Sequence, residues 1–138
     1  MDEKLSQSDL LLTQLLEAIV EGVLAFDRDC YYIAWNKGME RITGLKREDV
    51  LGKCAFDVFP FLKETGEDKC LQVALIGQST TSENRPYVVP ETGRAGFFKA
   101  YYSPLRDSGE NIVGGIAVVY DITERKRVEE APRKLINV

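Results

Sequence analysis

Asp121 and Glu124 stand in the D-x-x-E spacing of a helix capping box, where the apolar run Ile112 to Tyr120 gives way to the charged stretch Glu124 to Arg127. An aspartate there accepts the orphan backbone N–H groups of a nascent helix, while Glu124 folds back on the cap. The chemistry is mechanical: it ties the edge of a packed sheet to a rod that can reach a second domain. Groups able to do covalent chemistry are few. The chain has no histidine, which removes any imidazole for a zinc site, a haem axial ligand, a catalytic triad or a phosphorelay acceptor. Ser79 and Ser82 have no histidine or lysine arranged as a base, and Asp107-Ser108-Gly109 reads as a hairpin turn. Glu64, Glu67 and Asp68 cluster at the start of a helix, where acidic side chains complement the dipole. Cys30, Cys54 and Cys70 form no C-x-x-C pair, and their odd number argues against a disulfide framework, so we read them as reduced. With no P-loop and no kinase catalytic motif, we expect no catalytic residue, no metal site and no enzymatic activity in this chain.

Bulk properties narrow the classes further. At 138 residues the chain suffices for one domain with a real core, plus flanks. An apolar fraction of 44% and a charged fraction of 29% are ordinary for a soluble protein, and a net charge of -4 provides no field for DNA or RNA. No apolar run approaches the ~20 residues that span a bilayer, and the N-terminus is acidic where a signal peptide is basic. These features predict a cytoplasmic chain with neither nucleic-acid binding nor direct membrane insertion.

The elements that must position the junction follow from periodicity. Leu12, Leu15, Leu16, Ile19 and Val20 fall along one side of a helix from Asp9 to Glu21, with Ser8 or Asp9 as cap and Gly22 as terminator. Gly22 to Phe26 and Tyr31 to Trp35 are β-rich runs about an aspartate-bearing turn, hence a hairpin. Asn36 caps a short helix carrying Met39 and Ile42 and ended by Gly44. Lys46 to Leu51 makes another helical turn closed by Gly52. Phe56 to Leu62, broken by Pro60, fits a short helical turn. Glu67 to Ile76 is a clearer helix with Leu71, Ala74 and Leu75 inward. Thr80 to Val89, Gly96 to Leu105 and Ile112 to Asp121 read as strands of an antiparallel meander. The fold class is therefore α+β, a five-stranded antiparallel sheet with short helices on one face.

The last strand is apolar on both sides, with Ile116, Val118 and Tyr120 on one and Ala117 and Val119 on the other, so both faces should be covered. The short helices cover one; the N-terminal helix or a second protomer covers the other. In the preceding strand Phe98, Ala100 and Tyr102 share one side, whereas Phe97, Lys99 and Tyr101 share the outer one.

Several segments in this order resemble the PAS domain, the sensory module of histidine kinases, cyclic-di-nucleotide enzymes and some transcription regulators. They are EGVLAFDRD from Glu21, IAWNKGMERITGL from Ile33, REDVLGK from Arg47, YYSPLRDSGENIVGGI from Tyr101 and DITERK from Asp121. The resemblance implies a flanking helix over 1–21, a PAS core over 22–122 and the start of a signalling helix over 123–138. It implies a sheet whose first two strands occupy the centre beside the last, a pocket between sheet and helices, and output to a domain of the same polypeptide. It further implies a homodimer, here through the N-terminal helix and the outer sheet face. Asp121, Thr123 and Arg125 match the family's hinge, a role compatible with plain helix capping. Pro132 is expected to break the exit helix.

Ligand classes can be weighed residue by residue. A flavin-binding subfamily uses a cysteine after a Leu-Gly pair, but Leu51-Gly52-Lys53-Cys54 places it one position early and without the accompanying amides, so we read Cys54 as a small buried hydrophobe or a bystander. Histidine-ligated haem has no ligand here. A dicarboxylate would need converging cations, and Arg85, Arg94 and Lys99 read as solvated charges. What remains is an apolar pocket lined by Phe26, Trp35, Met39, Phe56, Phe59, Leu71, Leu75, Phe98 and Tyr102, open to a small apolar or amphipathic metabolite. For want of convergent polar groups, a closed core is favoured over a dedicated site. Trp35 and Tyr102 each carry a donor that needs a partner when buried.

Overall fold

The computed structural model describes residues 10–12, 14–15, 19–126 and 128. Its elements run β1 (Gly22–Asp27), β2 (Tyr32–Trp35), α1 (Lys37–Thr43), α2 (Arg47–Val50), α3 (Ala55–Val58), α4 (Phe61–Glu64), α5 (Asp68–Leu75), β3 (Thr80–Val88), β4 (Ala95–Arg106) and β5 (Ile112–Asp121). A helical turn at 123–126 follows. All pairings are antiparallel, in the order β2-β1-β5-β4-β3. The α+β class and the C-terminal meander stand as the sequence reads. The sheet order needs correction: β5 holds the centre, and β2 is an edge strand beside β1.

Local chemistry accounts for the junctions. Asp27 Oδ1 accepts from the backbone N–H groups of Asp29 at 2.9 Å and Tyr31 at 3.0 Å, closing the first hairpin. Asn36 Oδ1 accepts from Met39 N at 2.9 Å, capping α1, and from Val23 N at 2.8 Å on β1. Its Nδ2 donates to the Glu21 carbonyl at 3.1 Å. One amide thus starts the helix and pins it to the sheet. Gly44 ends α1 at φ +79, returning its N–H to the Glu40 carbonyl.

The same contacts shorten the N-terminal helix. Residues 10–12, 14 and 15 are helical, but 19–21 are not, although periodicity extends the helix to Glu21. Arg41 donates to the carbonyls of Ile19 and Val20, so those carbonyls serve α1 and the chain straightens into β1. Gly22 opens that strand. The expected caps Ser8 and Asp9, and the break at Pro132, lie outside the described residues.

Two adjacent glycines in β5 let the core close. A Cβ at Gly114 would stand 2.0 Å from the Phe26 carbonyl oxygen, and one at Gly115 2.3 Å from the Phe26 ring. Phe26 is consequently fully buried, a burial worth about 1.5–3 kcal/mol. Around it pack Tyr32, Trp35, Met39, Phe59, Leu71 and Phe98, with the Trp35 and Phe59 rings stacked at 6.0 Å. The Trp35 indole donates to the Leu45 carbonyl at 3.0 Å, supplying the partner its burial requires.

The sides of β4 and β5 divide as their sequences alternate. Phe98, Ala100, Tyr102, Ala117 and Val119 are buried under the helices. On the other side Ile33, Phe97, Tyr101 and Tyr120 are exposed. The cover expected for that outer face is not found among the described residues.

Candidate functional site: cavity and exit hinge

Between sheet and short helices lies a cavity of about 60 Å³, reached by Phe26, Tyr32, Met39, Thr43, Phe59, Phe98 and Tyr102 among others. The core is therefore not fully closed. Of the residues expected to line a pocket, Phe26, Met39, Phe59, Leu71, Phe98 and Tyr102 do so. Trp35 belongs to the buried core beside it, whereas Phe56 and Leu75 are half-buried against that core. Sequence reading missed Tyr32 and Tyr87, both on the cavity wall. Tyr87 alternates with Val89, but Tyr32 stands three residues before Trp35 and comes inward through the irregularity in the β1–β2 register.

Behind Tyr102 sits a fully buried carboxylate. Glu67 Oε2 accepts from the Tyr102 hydroxyl and the Ser82 hydroxyl, each at 2.6 Å. Arg85 Nε lies 3.0 Å from Glu67 Oε1. That N–H is not aimed at the oxygen, so the contact is an ion pair that leaves both buried atoms without a hydrogen bond. Two expectations are corrected here. Glu67 directly precedes α5 but points into the protein, because strand hydroxyls and a guanidinium stabilise its charge there. Arg85 is not a solvated cation. Between Ser82 and Arg85, Glu83 and Asn84 of β3 face Lys99 alone on β4, and this bulge, with Asn84 at φ +52, turns Arg85 to the inner face. Arg94 is engaged too, donating to the Arg41 carbonyl at the end of α1. Lys99 stays outward, 3.8 Å from Glu83.

Burial raises the phenol pKa values of Tyr32, Tyr102 and Tyr87 above the ordinary range. For Tyr102 the Glu67 charge adds to burial, and for Tyr87 that of Asp121 does. All three hydroxyls stay protonated at neutral pH.

Tyr87 links the cavity to the hinge. Its ring lies 6.2 Å from Phe98, and its hydroxyl donates to Asp121 Oδ2 at 3.1 Å. Asp121 Oδ1 accepts from the Thr123 backbone N–H at 2.9 Å and the Thr123 hydroxyl at 2.6 Å. Thr123 Oγ1 in turn accepts from Phe97 N at 3.0 Å, and Ile122 N donates to the Phe97 carbonyl at 2.9 Å. Asp121 thus takes up an N–H of the exit helix, and Thr123 stitches that helix to β4. Arg125 is exposed on the same turn.

A family model described as the PAS fold matches residues 16–127. This chain belongs to the PAS family. Among curated proteins the domain is similar to phytochrome B-2 of Glycine max, with 28% identity over 99% of this chain and 12% of that protein. The domain thus spans about an eighth of that relative. Among solved structures it resembles an RNA-binding light-oxygen-voltage receptor, with TM-score 0.71, 20% identity and coverage of 99% of this chain and 40% of that one. A PAS domain from a two-component sensor histidine kinase gives TM-score 0.63, 17% identity and coverage of 83% and 99%. These last two likenesses are of fold.

The residues present do not fit a flavin. Cys54 sits ahead of α3 in a bridge to Tyr31 and is not on the cavity wall. The cavity is less than half the ~150 Å³ that admits benzene. All three cysteines are free thiols. Among the described residues no group of histidine, cysteine and carboxylate side chains could hold a metal, and no helix is long and apolar enough to cross a membrane.

Proposed function

We propose that this PAS domain is the sensory and dimerisation module of a multidomain signalling protein in the cytoplasm, with a histidine kinase as parent. Catalysis belongs to a domain outside this chain. Occupancy of the cavity, or contact with a partner, shifts the packing of β3 and β4. Asp121 to Thr123 pass that shift to the exit helix, which rotates or re-registers the output domain. A coupling of ~1–3 kcal/mol suffices for substantial regulation.

The observation that carries this reading is the Tyr87 hydrogen bond, which joins the cavity wall to the hinge carboxylate. The exposed outer-face residues Ile33, Phe97, Tyr101 and Tyr120 support a homodimer through that face and the N-terminal helix. Asp121→Ala in the full-length parent tests the relay. Altered output with an intact domain supports it; unchanged output removes the hinge role and favours a constitutive dimerisation module.

A further inference from the structure

We propose that Gly96 is the positioning residue of the relay: its missing side chain is what lets Tyr87 and Thr123 close on Asp121 from the two strands beside it. This rests on the sensory reading above and specifies where cavity and hinge are coupled.

The register puts Gly96 in the middle. Tyr87 of β3 pairs with it on one side. On the other side Phe98 pairs with Asp121, and the Ile122 N–H bonds the Phe97 carbonyl at 2.9 Å, so Thr123 comes next, opposite Gly96. Neighbouring strands lie about 4.7–4.9 Å apart, and Tyr87 stands two strands from Asp121. The phenol must therefore lie across β4, over whatever occupies position 96.

Space, and not backbone conformation, calls for glycine there. The φ of Gly96 lies outside the left-handed region, so alanine suits the backbone. A Cβ built on Gly96 would overlap Thr123 Oγ1 and stand 3.0 Å from the Tyr87 hydroxyl. Thr123 Oγ1 is held where it is, because it donates to Asp121 Oδ1 at 2.6 Å and accepts from Phe97 N at 3.0 Å. The missing methyl is thus bounded by the two hydroxyls that bind the hinge carboxylate. Gly114 and Gly115 differ, since what they clear is Phe26 in the core. Those two serve packing, and Gly96 serves coupling.

Amide hydrogen exchange in the 138-residue chain reads the claim. Gly96→Ala is expected to lower protection of the Thr123 and Lys126 amides about tenfold, the lower end for one hydrogen bond to a carboxylate, with the β1–β5 ladder unmoved. Tyr87→Phe should then add less than about threefold in the Gly96→Ala chain, against about tenfold in the unaltered one, because the link it deletes is already broken. Thr123→Ala supplies a second reading. It should lower the melting temperature of the unaltered chain, where the hydroxyl is bonded, and raise that of Gly96→Ala, where the hydroxyl meets the new methyl.

With Gly96→Ala folded, unchanged protection at Thr123 and Lys126, an equal loss along the β1–β5 ladder, additive effects with Tyr87→Phe, or no rescue by Thr123→Ala each overturns the proposal. With Gly96→Ala unfolded, the rescue decides: a double variant with Thr123→Ala that folds supports the proposal, and one that does not overturns it. Such a failure leaves the relay itself standing, because Asp121→Ala in the full-length parent tests that without touching Gly96.

Discussion

The Tyr87 hydroxyl, on the cavity wall, holds the carboxylate of Asp121 that also receives the first N–H of the exit helix. One aspartate therefore reports on two elements at once. Oδ2 registers where β3 stands, and Oδ1 sets where the helix begins. Any displacement of the Tyr87 ring has a direct route to the terminal turn. The two carboxylate oxygens make the junction a coupler rather than a simple cap.

Asp121→Ala should cost the isolated domain about 0.5–2 kcal/mol, the range for losing a helix-capping side chain. Residues 22–120 should keep their pairing, so unfolding stays cooperative. Denaturant titration checks this through an unchanged slope and a lowered midpoint. Loss of cooperative unfolding would mean that the hinge holds the sheet together and is no mere outlet.

Glu67 and Arg85 should behave as a coupled pair. Arg85→Ala leaves a fully buried carboxylate without its counter-charge and should cost about 3 kcal/mol, somewhat reduced because Arg85 is 36% exposed. In that background Glu67→Gln should restore stability, since the amide still accepts from Ser82 and Tyr102 without carrying charge. In the wild-type background the same change should destabilise. A double-mutant cycle measures the reversal of sign; destabilisation in both backgrounds would show that the ion pair is energetically idle.

The parts legible in the sequence are those whose chemistry is local. Asn36 and Gly44 bracket α1, and Asp121 ends β5, because capping needs only neighbours within a few residues. The Glu67 cluster was not legible. Its partners arrive from strands 15 and 35 residues away, and the β3 bulge reverses the parity by which Arg85 would be assigned an outer face. Glu64, Glu67 and Asp68 look alike as an acidic helix start, yet only Glu67 is fully buried. The cavity was hidden for a related reason: residue type gives core membership, whereas an unfilled volume depends on how side chains mesh.

Gly115→Ala should destabilise by about 1–3 kcal/mol, the usual cost of overpacking. The added methyl would meet the Phe26 ring at 2.3 Å, and that ring is fully enclosed. Combining it with Phe26→Leu should recover part of the loss, as thermal melts of the single and double variants would reveal. Additive losses would place the strain elsewhere.

Stability should decline on the alkaline side. Tyr32, Tyr87 and Tyr102 have raised folded-state pKa values, so above about pH 10 the unfolded chain loses phenolic protons that the folded one retains. With fewer protons on the unfolded state, unfolding free energy falls as pH rises, and below that window these groups contribute no slope. Urea midpoints from pH 8 to 11 should drop more gently in Tyr102→Phe than in wild type. Parallel profiles would show that Tyr102 does not contribute.

Hydrogen exchange at the exit turn tests the relay most directly. Tyr87→Phe deletes only the hydroxyl that joins the cavity wall to Asp121. The account predicts that the Thr123 and Lys126 amides, bonded to Asp121 and to the Ile122 carbonyl, lose protection about tenfold, the lower end for one hydrogen bond to a carboxylate. The β1–β5 ladder should be unchanged. Identical protection at Thr123 and Lys126 in the two proteins would contradict it.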